Sequence, residues 1–274
     1  MNKTKILRSI YAGYQRFFCR KHFYKLNWLL YQLSLRGIGV LNYQDMEISG
    51  EGAFIDQVVA KLSSPVVFDV GANVGGYASA ILRANACARL FAFEPHPSTF
   101  GRLEKQARQN NFHAVQSACG SEEGRLTLYD YEMEGTSHAS AVSGVISGIH
   151  QQEEVAIKVP VTTIDVFARS RDIDSIDLLK VDTEGYELEV LKGAQSMIGE
   201  GLVRCIQLEF NEMNVQSRTF ARDFVELLDE YRFFRILPDG LVELGTYHPL
   251  KYEIFAFQNL VAVHEESQTI LEHL

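Results

Sequence analysis

Paired cysteines are missing from this sequence. Its four cysteines, Cys19, Cys87, Cys119 and Cys205, lie far apart and form no Cys-x-x-Cys pair. Structural zinc sites and disulfide frameworks both depend on clustered or regularly spaced cysteines, so neither is expected here. A reducing cytoplasm is the compartment that fits this cysteine usage best.

Long apolar runs are missing as well. The longest uncharged stretch of the first 44 residues, from Leu26 to Leu35, is too short to span a bilayer. Arg16, Arg20 and Lys21 interrupt the apolar content near the start of the chain, so the opening residues do not match a signal peptide. The sequence therefore predicts a protein that is not secreted.

Acidic residues are missing from the first 44 positions. That segment carries eight bases and no acid, which leaves 18 of the 26 bases and all 35 acids for the rest of the chain. The charge is therefore +8 in the segment and −17 beyond it, which together give the net charge of −9. An acidic main domain argues against nucleic acid as a partner, whereas a basic segment suits an anionic surface.

Length and composition predict one large α/β domain with an appendage. A chain of 274 residues with 46% hydrophobic content can bury a sizeable core but rarely forms two full domains. We assign the basic, aromatic segment to residues 1–44, the main domain to residues 45–264 and a short acidic tail to residues 265–274.

The basic segment is predicted to form two helices. Ile6, Ile10, Tyr14 and Phe17 recur at helical spacing, and a second apolar series runs from Trp28 to Leu35. An apolar helical stripe is usually buried, so packing on the main domain or on a second subunit of a homo-oligomer is the first hypothesis. Peripheral contact with an anionic membrane is the second, because basic and aromatic residues share the segment.

The stretch from Val66 to Gly76 is typical of a buried strand that turns tightly into a helix. Its apolar run contains Asp69 and then breaks into Gly71, Gly75 and Gly76, which tolerate unusual backbone angles. The N-terminus of the following helix directs free N–H groups into the crevice above the sheet. The dinucleotide fingerprint needs a glycine where Asn73 stands, so NAD is disfavoured.

Two further positions near this crevice suit a nucleoside. The next apolar strand, Arg89 to Phe93, ends at Glu94, whose carboxylate is placed to accept hydrogen bonds from both hydroxyls of a free ribose. The third strand, predicted from His113 to Ala118, has Ser117 near its end. In a doubly wound fold that position flanks the adenine, which makes Ser117 a candidate contact.

Acids also follow two later strands. The strand from Ile176 to Val181 runs into Asp182 and Glu184, and the strand from Val203 to Phe210 carries Glu209, with Asn211 just beyond. Acids at the carboxyl ends of parallel strands belong in the ligand crevice, although a helix N-cap or a first-turn acid is the structural alternative.

Three motifs in this order and spacing resemble one family, the FkbM-type methyltransferases, within the S-adenosylmethionine-dependent enzymes of Rossmann-like fold. The matching residues are Phe68-Asp69-Val-Gly71-Ala-Asn73-Val-Gly75, Phe93-Glu94-Pro95, and Lys180-Val-Asp182-Thr-Glu184-Gly185-Tyr-Glu187 followed by Val190-Leu-Lys-Gly193. The resemblance covers about Val66 to Glu209 and says little about the first 50 residues.

The resemblance implies a class I methyltransferase fold and a role for each motif. The fold would be an α/β structure with a seven-stranded, mostly parallel sheet, helices on both faces and an antiparallel last strand. Asp69 and Gly71 would lie near the methionine part of S-adenosylmethionine, Asn73 and Gly75 would shape the loop, and Glu94 would hold the ribose. The family is associated with O-methylation of hydroxyls on sugars, glycans, glycolipids or secondary metabolites.

Methyl transfer to a hydroxyl requires alignment behind the methyl group and removal of the hydroxyl proton. Asp182, Glu184 and His150 are the candidate catalytic residues. His150, or alternatively His138, lies on a long polar loop from Glu132 to Glu154 and would act as the general base.

Asp182, Glu209 and Asn211 offer a second route, because their layout is similar to the magnesium site of catechol-type O-methyltransferases, which would make Mg²⁺ a second cofactor.

Other functions stay open at this stage. A methyltransferase-fold protein without catalysis, acting as a partner through its basic segment, is one alternative, and an NAD-dependent oxidoreductase is a weaker one. Amine methylation within the same fold is not ruled out by any residue. The expected protein is a cytoplasmic enzyme, in contact with membranes at most peripherally, that acts on a hydroxyl-bearing, carbohydrate-containing acceptor.

Overall fold

The computed structural model describes residues 3–131, 141, 154–267, 270 and 272, in which helices and strands alternate over most of the chain. The helices are α1 (Lys3–Phe18), α2 (Tyr24–Gly37), α3 (Met46–Ser49), α4 (Glu51–Gln57), α5 (Gly76–Ala84), α6 (Pro97–Asn110), α7 (Ile164–Ser170), α8 (Glu187–Lys192), α9 (Gln195–Gly199), α10 (Met213–Ser217), α11 (Ala221–Leu227) and α12 (Pro249–Tyr252). The strands are β1 (Val66–Val70), β2 (Arg89–Phe93), β3 (His113–Val115), β4 (Ala118–Cys119), β5 (Gly124–Tyr131), β6 (Glu154–Thr162), β7 (Leu178–Val181), β8 (Cys205–Phe210), β9 (Tyr231–Leu237), β10 (Gly240–Glu243) and β11 (Gln258–His264). Short 3-10 helices lie at Lys21–Phe23 and Val59–Lys61.

The main sheet has the strand order β10-β9-β11-β8-β7-β1-β2-β3. Strands β3, β2, β1, β7 and β8 are parallel, whereas β11 runs antiparallel to both β8 and β9. Strands β1, β7 and β8 are almost entirely buried, as expected for apolar runs that helices cover on both faces. The predicted Rossmann-like fold and its antiparallel last strand are confirmed.

The sheet has eight strands within the described residues, and the prediction of seven was wrong. The additional strand is β10, which follows the turn at Pro238–Gly240 and pairs antiparallel with β9. It lies at the edge of the sheet, and two of its side chains are exposed. An edge strand that is partly exposed needs no continuous apolar run, so the sequence of β10 lacks the pattern by which a buried strand is recognised.

A second sheet of three strands has the order β4-β6-β5. It divides the strand that was predicted from His113 to Ala118, because β3 pairs with β2 of the main sheet while β4 pairs with β6. The chain changes sheets at Ser117, whose backbone N–H donates to the carbonyl of Val115 at 3.0 Å. Pairing with distant strands, which a local pattern does not reveal, causes this division.

Apolar side chains fill both faces of the main sheet. On one face, Phe68, Phe91, Phe93 and Phe167 form an aromatic cluster with ring centroids 4.8 to 5.7 Å apart. Helices α7, α8 and α11 contribute to that side of the core, and helices α4, α5 and α6 cover the other. The strand ends are thereby held in fixed positions relative to one another.

Several element boundaries near the C-terminus differ from the prediction. The helix predicted from Thr219 to Tyr231 is α11, and it is shorter because Tyr231 already begins β9 and its hydroxyl donates to the carbonyl of Val203 at 2.6 Å. The strand predicted from Ile254 to Val263 begins at Gln258, and the short helix α12 precedes it.

The two N-terminal helices are α1 and α2, but most of their apolar side chains are exposed, including Ile10 (58%), Phe17 (66%) and Leu33 (57%). Leu35, in the last turn of α2, is buried. None of the helices in the described part of the chain is long and apolar enough to cross a membrane.

Candidate active site

A cavity of ≈ 730 Å³ opens at the carboxyl ends of β1, β2, β7 and β8. That volume lies within the range typical of ligand sites. The sequence-predicted residues that line it are Gly71, Asn73, Glu94, Ser117, Asp182, Glu184, Glu209 and Asn211. These residues come from five separate segments, and the sheet brings them together because its parallel strands all end at this edge.

Two predicted residues, Asp69 and Gly75, are absent from the cavity wall. Gly75 has a φ of +86° and precedes α5, so it shapes the loop. Asp69 is fully buried beneath the loop, and neither of its carboxylate oxygens has a hydrogen-bond partner within the described residues. Burial raises the pKa of Asp69 to about 6, and the nearby ammonium group of Lys180 limits the rise.

The loop after β1 is pressed against the loop after β7. Gly71 has a φ of +83°, and a Cβ atom at this position would lie 1.7 Å from the backbone oxygen of Asp182. The N–H groups of Gly71 and Ala72 both donate to the carbonyl of Phe93, at 3.0 and 2.9 Å. Only glycine combines this backbone angle with this close approach.

Glu94 holds the cavity side of the same loop. One carboxylate oxygen accepts the N–H of Asn73 at 3.0 Å and the other accepts the N–H of His96 at 2.8 Å. A carboxylate has about four acceptor positions, so these two bonds orient the group without exhausting its acceptor capacity. Glu94 therefore faces the cavity in a defined orientation, which suits the hydroxyls of a ribose.

Three acids line the other side of the cavity: Asp182, Glu184 and Glu209. The amide nitrogen of Asn211 lies 2.7 Å from Glu209 Oε1 and 3.5 Å from Glu184 Oε2. Burial raises the pKa of Glu209 well above its usual range, and the charges of Asp182 and Glu184 act in the same direction. Glu209 therefore binds a proton more readily than an ordinary carboxylate does.

Lys180 supplies the positive charge beside these acids. Its ammonium nitrogen lies 2.9 Å from Asp182 Oδ2 and 3.9 Å from Asp69 Oδ1, and the side chain is buried. The carboxylates of Asp182 and Asp69 raise the pKa of Lys180 against the lowering effect of burial, so the lysine stays charged. Lys180 was predicted only as part of a family motif, without a role of its own. A lysine inside an apolar strand indicates a paired charge, since lysine is rarely buried without a partner.

Glu187 explains how the chain after β7 keeps its shape. This buried carboxylate accepts the N–H groups of Thr183 and Gly185, both at 3.0 Å, and the side-chain amide of Asn214 at 3.0 Å. It belongs to the scaffold and does not line the cavity. Its bonds hold the segment that presents Asp182 and Glu184.

The cavity also has walls that the sequence analysis missed. Leu41 and Tyr43 from the chain after α2 line it together with Phe257, and Leu126 and Leu128 line it from the small sheet. His138 and His150, the candidate general bases, lie outside the described residues. That one of these histidines is the general base therefore stays a prediction.

The residues predicted to bind Mg²⁺ do not fit that ion as they are arranged. Mg²⁺ requires oxygen ligands in near-octahedral geometry. The side-chain oxygen of Asn211 accepts the N–H of Met213 at 2.8 Å, which turns the amide nitrogen toward Glu209. Within residues 3–131 and 154–267, moreover, no group of three His, Cys, Asp or Glu side chains is arranged to hold a metal ion.

Comparison with known proteins identifies similar sequences. The domain described as "Methyltransferase FkbM domain" matches residues 69–234. The 2-O-methyltransferase NoeI of Sinorhizobium fredii is 24% identical over 68% of this chain and 80% of its own length. Methyltransferase 1 of Beauveria bassiana is 27% identical over 54% of this chain and 67% of its own. The hexuronic acid methyltransferase AglP of Haloferax volcanii is 27% identical over 60% of this chain and 62% of its own.

Proposed function

The chain belongs to the FkbM family of S-adenosylmethionine-dependent methyltransferases, and from that premise we propose that it methylates a hydroxyl group of a carbohydrate-containing acceptor. The observation that carries the proposal is that Glu94, Asp182, Glu184 and Glu209 line the same cavity. The names of two relatives, a 2-O-methyltransferase and a hexuronic acid methyltransferase, support an oxygen atom and a sugar as the target.

The residues around the cavity suit S-adenosylmethionine. Glu94 would accept the ribose hydroxyls, the loop from Gly71 to Gly75 would lie against the methionine part with Asp69 beneath it, and Ser117 would flank the adenine. The hydroxyl of Ser117 already donates to the carbonyl of Ala118 at 2.8 Å. Ser117 can therefore only accept a hydrogen bond, which suits the exocyclic amine of adenine.

S-adenosylmethionine supplies an electrophilic methyl group on a positively charged sulfur. The cavity wall carries five acids, Glu94, Asp182, Glu184, Glu209 and Glu212, and the Lys180 ammonium is directed to Asp182 and Asp69. An excess of carboxylates over cations favours a positively charged ligand. We propose that two of these acids, Asp182 and Glu184, align the acceptor hydroxyl with the positively charged sulfur. Lys180 holds Asp182 in place.

Glu209 is the general base in this proposal. Its carboxyl lies on the cavity wall, Asn211 fixes one oxygen at 2.7 Å, and its proton affinity is higher than that of an ordinary carboxylate. A base of that kind can take the hydroxyl proton as the oxygen attacks. His150 is the competing base, and the two roles are separable by mutation.

We expect Glu209→Gln to lower kcat by about 100-fold or more, because general-base catalysis contributes about 10²–10⁴-fold. The affinity for S-adenosylhomocysteine should change by less than about 3-fold, since the amide keeps the size of the side chain. His150→Ala is the comparison variant and should retain most activity. If His150→Ala loses the activity and Glu209→Gln keeps it, the base lies on the polar loop.

The function itself is tested with the purified chain. Calorimetric titration should give micromolar binding of S-adenosylhomocysteine and no binding of NAD⁺. With S-adenosylmethionine, neutral sugars and hexuronic acids should gain one methyl group on oxygen, detected by mass spectrometry and NMR. Activity should be equal in EDTA and in Mg²⁺, because the Asn211 amide is turned away from an ion-binding geometry.

Three results would each contradict part of the proposal. A folded protein that binds no S-adenosylhomocysteine would favour the non-catalytic partner reading. Methylation of amines alone would keep the cofactor and remove the hydroxyl acceptor. Loss of activity in EDTA with recovery in Mg²⁺ would restore the metal route through Asp182 and Glu209.

The proposed location is the cytoplasm, with peripheral membrane contact through the N-terminal helices. All four cysteines are free, and Cys19 and Cys87 are exposed, which suits a reducing compartment. Recovery of the protein from the culture medium or the periplasm would contradict this location.

A further inference from the structure

We infer that α1 and α2, together called the arm (residues 3–37), form a docking surface for a membrane with anionic lipids. The arm holds 14 of the 22 large apolar side chains that are exposed among the described residues. Exposed apolar side chains scattered singly are ordinary, but this many on one short segment mark an interaction surface.

Helix α1 has two distinct faces. At 3.6 residues per turn, Ile6, Ile10, Tyr14 and Phe17 share one face, and all four are exposed. Leu7, Tyr11 and Phe18 extend that face to one side. Lys5, Arg8 and Arg16 occupy the opposite face. This separation of apolar and basic faces is typical of helices that lie in the plane of a membrane surface.

The two helices are fixed to each other at one corner. The hydroxyl of Tyr14 donates to the side-chain oxygen of Asn27 at 2.6 Å, and the amide of Asn27 donates to the carbonyl of Phe18 at 3.0 Å. The rings of Phe18 and Phe23 lie 5.2 Å apart. These contacts hold the two helices together while most of their apolar side chains stay exposed, including Trp28 of α2 at 51%.

The position of the charges favours lipid over a second copy of the chain. Two arms packed together would bring two segments of charge +8 into contact. Docking on the acidic domain of another copy would need the bases on the docking face, but Lys5, Arg8 and Arg16 lie opposite the apolar face of α1. At a membrane the apolar face enters the acyl boundary while long basic side chains reach the headgroups beside it.

Vesicle co-sedimentation of the full chain tests the inference. We expect binding to vesicles of phosphatidylcholine with phosphatidylglycerol, and at least about 10-fold weaker binding to phosphatidylcholine alone or at high salt. Ile10→Glu and Phe17→Glu should each reduce binding to the anionic vesicles by at least about 10-fold. Leu250→Glu is the matched control, because Leu250 is an 84% exposed apolar residue outside the arm, and it should bind as the unaltered chain does.

Light scattering and circular dichroism separate the alternatives. Circular dichroism should show that both arm variants keep the fold. Failure to bind anionic vesicles, or equal binding by Ile10→Glu and the unaltered chain, would overturn the inference. A stable dimer that Ile10→Glu dissociates, without vesicle binding, would assign the surface to a second copy instead. None of these readouts depends on methyl transfer.

Discussion

Replacing Glu94 with glutamine is expected to weaken the binding of S-adenosylhomocysteine by about 100-fold or more. The carboxylate of Glu94 accepts the N–H groups of Asn73 and His96 at 3.0 and 2.8 Å, and in the proposed function it also accepts the ribose hydroxyls. Glutamine has a single side-chain oxygen, so its NH₂ group would meet either a backbone N–H or the ribose. Hydrogen bonds to a charged acceptor contribute about 1.5–3 kcal/mol each, and loss of one or two of them gives this effect.

Calorimetry measures this change, and a surface variant serves as the control. Glu104→Gln removes an exposed carboxylate of α6 that pairs with Arg108 at 2.9 Å, so it should leave the affinity unchanged. Thermal unfolding of both variants without ligand should establish that the Glu94 variant is folded. Unchanged affinity in a folded Glu94→Gln protein would exclude Glu94 from cofactor binding.

Replacing Gly71 with alanine is expected to lower the free energy of unfolding by more than about 3 kcal/mol, or to prevent folding. The new Cβ atom would lie 1.7 Å from the backbone oxygen of Asp182, and the φ of +83° strains any residue with a side chain. The oxygen of Asp182 belongs to the backbone and cannot move aside as the end of a flexible side chain would. The loops after β1 and β7 would therefore have to separate. Chemical denaturation without ligand measures the loss.

Gly76→Ala is the matched control five residues further along. No atom lies within 4 Å of a Cβ atom at Gly76, which begins α5, and no unusual backbone angle is required there. Its unfolding free energy should stay within about 1 kcal/mol of the unaltered chain, with a gain as the expected sign. Equal stability of the two alanine variants would mean that the two loops are not in forced contact.

The parts of the fold that sequence predicts best are those with local start and stop signals. The predicted start of β1 at Val66 and the predicted bounds of β2 agree with the structure, and glycine or glutamate-proline interrupts the pattern where these strands end. Strand β10 follows the turn at Pro238–Gly240 and helix α12 begins at Pro249, but each has only four residues, too few to show a periodic pattern. They depend on pairing with β9 and on packing against residues distant in sequence.

The site follows the same division. The grouping of Glu94, Asp182 and Glu209 was predictable, because parallel strands bring their carboxyl ends to one edge of the sheet. The part of the wall formed by Tyr43 and Phe257 was not predictable. These two residues are distant in sequence, and only the fold brings their ring centroids to 6.1 Å from each other. The lack of fit for Mg²⁺ likewise depends on the orientation of one amide, that of Asn211, which composition does not reveal.

Residues 38–43 connect α2 directly to Leu41 and Tyr43 of the cavity wall and span at most about 20 Å. An enzyme held at a bilayer through the arm would therefore meet a lipid-carried acceptor by lateral diffusion in two dimensions. Its rate would follow the mole fraction of the acceptor in the lipid, and added inert phospholipid would slow it by surface dilution at constant bulk concentration. A freely diffusing sugar acceptor would show no such dependence.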